Sequence, residues 1–151
     1  MLKLGLLLEK IAITLWVGGL WAIGYIAAPV LFMQLGDKQL AGNLAGSMFT
    51  VIAFVGMACG AYLLMYRINQ YGGAAFKQAF FWAAFLMVLI TLGMQFGIQP
   101  IMESLKEQAM PKAVMQSIFS DRFAHWHGVS RIAYIIESLL GLVLLFKQSS
   151  K

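Results

Sequence analysis

The sequence predicts an all-α fold, an integral membrane four-helix bundle that forms a single membrane domain over residues 1–151. Composition is the first reason. Of 151 residues, 61% are hydrophobic and 11% are charged, and the mean hydropathy is +0.80, whereas ordinary soluble domains have about 45–50% apolar and about 25% charged residues. The second reason is the spacing of charge. Residues 11–36, 39–66 and 78–102 contain no Asp, Glu, Lys or Arg, and each run exceeds the roughly 20 residues that a membrane helix needs. A fourth span over residues 123–146 is interrupted by Arg131 and Glu137 but ends in a continuous apolar run. A soluble globular enzyme is excluded, and the expected environment is the lipid bilayer. The net charge of +5 then reads as a bias between membrane sides and implies no nucleic acid partner. Cys59 is the single cysteine, so no internal disulfide forms.

The first span follows MLKLGLLLEK, in which Glu9 and Lys10 split the apolar run, so an uncleaved span is expected in place of a signal peptide. Pro29 within it and Pro100 near the end of the third span each lack a donor, which frees the carbonyls of Tyr25 and Phe96. A tight turn at Asp37 and Lys38 opens the second span. That span carries Gly42 with Gly46 and Gly56 with Gly60, and the third carries Gly93 with Gly97. Lipid gives helices no hydrophobic reason to associate, so small residues four apart serve close backbone approach. The second and third spans are expected to pack through these faces. The same pattern could serve a homodimer or a larger membrane complex.

The link between the third and fourth spans contains Pro111, which suits a first helical position, and Val114, Met115, Ile118 and Phe119 repeat at helical spacing. This pattern fits a short interfacial amphipathic helix. In the alternative, Pro111 merely ends an extension of the third span. Charge bias sets the orientation: Lys3, Lys10, Arg67, Lys77, Lys147 and Lys151 lie on one side, against Lys38, Lys106, Lys112 and Arg122 on the other. The basic excess predicts a multi-pass protein of the inner (plasma) membrane with both termini cytoplasmic.

The fourth span is the most informative. On a helical wheel His127, Ser130, Arg131, Tyr134, Glu137 and Ser138 fall within a stripe about 120° wide. Lipid makes such a stripe expensive, so it should face the bundle interior, a cavity or a partner. In the functional reading it is a site for a proton, ion or small ligand. Glu137 then changes protonation, and Arg131 and His127 stabilise an anion or tune the carboxyl. In the structural reading Arg131 snorkels to the outer surface and Glu137 pairs with it or bonds Gln95. His125 and His127 are the only histidines. Two apart on a helix, they diverge by about 160°, which disfavours one metal between them. Haem held by His127 with a methionine, or shared between protomers, stays open as an alternative, as does copper held by Met, Cys or His ligands. No P-loop, Rossmann fingerprint, HExxH or GxSxG is present, so a non-enzymatic protein is the favoured class.

LWVGGLWAIGYIAAPVLF in the first span, AGNLAGSMF opening the second and HGVS opening the fourth resemble the transmembrane protein 205-like family, whose bacterial members form a domain of unknown function. Trp16, Gly18, Pro29, Gly42, Gly46, Phe49, His127, Gly128 and Ser130 carry the likeness. The chain departs from that pattern at Tyr134, where the family often has asparagine. The resemblance implies a four-helix integral membrane protein and brings no activity. A looser likeness to copper-resistance D-type membrane domains and small haem-binding membrane oxidases rests on the tryptophan-glycine first span.

Overall fold

The computed structural model describes residues 2–148, and among them there are helices and no strand. Four helical segments are long and apolar enough to cross a membrane: α1 (Lys3–Gln34), α2 (Lys38–Lys77), α3 (Ala79–Ala109) and α4 (Ser120–Gln148). Large apolar side chains such as Leu15, Ile26, Val51, Leu89, Ile132 and Leu139 point outward. In lipid that exposure costs nothing, and a helix satisfies most of its backbone groups within itself.

The helices run past the charges that bound the apolar runs. α2 continues through Arg67 to Tyr71 before a 3-10 turn over Gly72–Lys77, and α3 continues through Glu103 and Lys106 to Ala109. Glu, Lys, Gln, Met and Leu all sustain a helix, so charge marks where hydrocarbon ends, not where the helix ends. Asp37 caps α2 by accepting the backbone N–H of Gln39 at 2.8 Å and of Leu40 at 3.1 Å. Gly72, at φ +53°, ends its α-helical part in a conformation that a Cβ disfavours.

The short interfacial amphipathic helix does not form. After Ala109 the chain makes only a three-residue 3-10 turn, Val114–Gln116, before α4 begins at Ser120. Val114 is buried with Leu105 and Ala109, and Phe119, Phe123 and Trp126 pack against them. These apolar residues close the α3–α4 corner instead of lying on lipid, and Pro111 ends the third helix's extension.

α1 and α2 run antiparallel, with Glu9 bonded to Arg67 and Phe32 beside Gly42. Both membrane prolines follow widened π-helical turns, Ala22–Ala27 ahead of Pro29 and Met94–Ile98 ahead of Pro100. Such turns absorb the missing donor and the bulk of the ring. The core gathers Ile13, Trp16 and Val17 of α1, Leu63 of α2, Phe80 and Met87 of α3, and Leu144 of α4.

The glycine pairs do not act as the sequence suggested. Gly56 and Gly60 lie under the indole of Trp16, and Gly60 also meets Val88 of α3. Their main partner is therefore the first span. Gly46 approaches Gln99, while a Cβ at Gly93 or Gly97 would meet nothing within 4 Å. The Gly93–Gly97 pair, at the widened turn Met94–Ile98, is exposed and faces away from the other helices.

Two contact planes lie about one hydrocarbon thickness apart. Glu9, Arg67 and Gln78 meet at one end, and Gly46 and Gln99 meet at the other. Arg67 to Gly46 and Gln78 to Gln99 each span about 31 Å of helix at 1.5 Å per residue. That length equals a hydrocarbon layer of about 30 Å.

Candidate functional site

α4 turns one face inward, on which Glu137, Ser138, Gly141 and Leu144 are buried. Gly141 sits against Val17 of α1, and Gly24 of α1 leaves room for the ring of Tyr134. The close α1–α4 approach built by these glycines puts hydroxyls in reach of backbone. Tyr134 donates to the carbonyl of Leu20. Tyr25 donates to Ser138 Oγ at 2.8 Å, and Ser138 in turn donates to the carbonyl of Tyr134 at 2.8 Å. The Tyr134 ring lies edge-to-face with Phe49, at a centroid distance of 5.3 Å.

Glu137 points from this face toward α3 and is 3% exposed. Thr91 Oγ1 lies 2.6 Å from Glu137 Oε1 and 2.8 Å from the carbonyl of Met87, one turn earlier on its own helix. Thr91 stands about 12 Å inside the Gln99 plane by helical rise, within the hydrocarbon layer. The expected partners are elsewhere. Gln95 is only half-buried, and Arg131 is exposed, about 9 Å further along α4 at the level where a guanidinium reaches headgroups. Among the described residues the ion pairs are Arg67–Glu9 and Lys106–Glu103, and Glu137 belongs to neither.

The structure thus links Tyr134 and Ser138 to α1 and turns Glu137 toward Thr91 of α3, and it leaves the outer part of the stripe apart from both. Ser130 is half-buried, and His125 and His127 are exposed. His127 stacks on Phe123 at 6.0 Å and His125 lies edge-on to Trp126 at 5.8 Å. Among the described residues no three His, Cys, Asp or Glu side chains come together as a metal cluster. Two partners escaped the sequence reading. Thr91 is the one hydroxyl in the apolar run AFFWAAFLMVLITLG, and that isolation was the signal. Tyr25 lies one turn before Pro29 and offered only its carbonyl as a clue.

A second polar cluster ties the opposite end. Arg67, 8% exposed, donates to Glu9 and to Gln78 Oε1 at 3.1 Å, and its guanidinium lies 3.8 Å above the ring centroid of Phe80. One cavity lies between α2 and α3 near Gln99, and a smaller one lies beside Pro100 and Arg122. Neither includes Glu137.

No curated protein matches the chain, and no solved structure does. A family model described as a domain of unknown function, DUF4149, matches residues 11–111. That match takes in α1, α2 and α3 with Thr91, and it stops before the helix that carries Glu137. Since it spans well over half of the sequence, the chain belongs to the DUF4149 domain family.

Proposed function

We propose that Glu137 is an intramembrane proton-binding site and that the protein works by taking up and releasing a proton there. The observation that carries this reading is a carboxyl 3% exposed inside the bundle with one threonine hydroxyl as its hydrogen-bonding partner. An unpaired buried charge is costly, and among the described residues no ion pair includes Glu137. The neutral acid fits the donors and acceptors better. Thr91 has one hydroxyl hydrogen and two acceptors in reach. If Glu137 carries a proton, its O–H donates to Thr91 Oγ1 and the Thr91 hydrogen goes to the Met87 carbonyl, which gives both hydroxyl hydrogens an acceptor. A proton suits the site because it needs no space beyond the carboxyl itself. The likeness to the transmembrane protein 205-like family brings no activity, and the proposal rests on the carboxyl alone.

Proton flux in proteoliposomes under an imposed pH gradient tests it. Glu137→Gln retains a donor for Thr91 Oγ1 in its amide NH2 and should fold, yet it is expected to lose the protein-dependent flux. Equal flux in wild type and variant would refute the proposal. The charge bias places the Arg67 end in the cytoplasm on the same reading. Ala74→Cys, in the exposed 3-10 turn that ends α2, is then expected to react with an impermeant maleimide only in inside-out vesicles. Labelling in intact cells would reverse the orientation.

A further inference from the structure

The cavity between α2 and α3 is about 580 Å³, a size typical of small-molecule sites. It exists because α2 packs along Ala79–Gly93 and separates from Gln99–Ala109 beyond the widened turn at Met94–Ile98. Two polar faces line the gap: Asn43, Ser47 and Thr50 on α2, opposite Gln99, Glu103 and Glu107 on α3. Each set recurs at helical spacing, so each forms one stripe. This groove is independent of Glu137, and its argument does not use the proton-binding reading.

Depth and charge say what it would hold. Gln99 marks the hydrocarbon edge, and Glu103 stands about 6 Å beyond it by helical rise, in the headgroup layer. On the hydrocarbon side the exposed rings of Phe54 and Phe96 meet edge-to-face, with centroids 6.4 Å apart. The groove is therefore polar at headgroup level, and an exposed aromatic pair flanks it at acyl-chain level. Glu103 Oε1 accepts from Gln99 Nε2 at 3.1 Å and from Lys106 Nζ at 3.0 Å. Lys106 is thus neutralised within the groove, while Glu107 has no ion pair among the described residues. The excess is one negative charge, surrounded by amides and hydroxyls that accept or donate.

We propose that this groove binds the headgroup of a phospholipid carrying a primary ammonium, the phosphoethanolamine type. Its ammonium meets Glu107 and the Glu103 carboxylate, its phosphate meets the Asn43 amide across the groove, and its acyl chains run past Phe54 and Phe96. A trimethylammonium headgroup has no N–H to donate, and a glycerol headgroup leaves the carboxylates facing an anion.

Native mass spectrometry of the full chain tests this after release from nanodiscs of equal phosphatidylethanolamine, phosphatidylcholine and phosphatidylglycerol with matched chains. Phosphatidylethanolamine is expected on the protein in about tenfold excess over either competitor. Glu107→Gln is expected to remove that excess, and so is Ser47→Phe, which fills the groove without changing charge. Equal retention of the three lipids by the wild type overturns the proposal, as does an excess that persists in both variants. Soluble phosphoethanolamine competing as well as the lipid would overturn the lipid assignment. A dimer that both variants dissociate would make the groove a contact between copies and equally overturn it.

Discussion

Arg67→Ala is expected to cost about 3–5 kcal/mol of folding stability, the loss typical when one partner of a buried ion pair is removed. Arg67 and Glu9 are 8% and 4% exposed, so neither charge reaches solvent without movement of the helices. The guanidinium joins Glu9 of α1, Gln78 at the start of α3 and the ring of Phe80 to its own helix α2. Without it, Glu9 keeps a buried charge and three helices lose their common anchor. Against a total stability of about 5–15 kcal/mol, that loss should appear as a large drop in the thermal midpoint in detergent micelles. The double variant Glu9→Gln with Arg67→Met removes both charges and is expected to recover most of the loss. A single variant as stable as wild type would show that the pair holds nothing together.

Gly56→Val is the second large effect, expected at about 2–3 kcal/mol from overpacking. A Cβ at Gly56 would fall on the indole of Trp16, and Trp16 is 1% exposed and also pressed by Gly60. The ring has no free volume to move into, so the α1–α2 contact must open. Gly93→Ala is the control: nothing lies within 4 Å of its added Cβ, and alanine gains up to about 1 kcal/mol of helix propensity over glycine. Thermal unfolding of the two variants side by side checks the contrast. Equal midpoints would remove Trp16 from the account of helix packing.

The fold class was legible because hydrocarbon enforces it: apolar runs long enough to span can only be helices or closed barrels, and these lack the alternation of a barrel strand. Helix ends were not legible from charge, since Arg67, Glu103 and Lys106 continue helices that merely leave the membrane. The role of the glycines was half legible. Spacing identifies a small-residue face, but Gly56 and Gly93 share that spacing, and what separates them is the presence of Trp16 opposite one and open space opposite the other. On the fourth span the wheel placed Tyr134, Glu137 and Ser138 on one face. Its width could not say where that face ends, and Arg131 and His127 fall on the side that leaves the bundle. The identity of Glu137's partner depends on the α3–α4 register, which brings Thr91 opposite it in place of Gln95.

A neutral carboxyl at Glu137 inside the bundle is the central claim, and infrared spectroscopy of the protein in nanodiscs at neutral pH tests it most directly. A carboxylic acid C=O band is expected in the wild type and should be absent from Glu137→Gln, with the amide bands unchanged. Identical wild-type and variant spectra in the carboxylic acid region would contradict it.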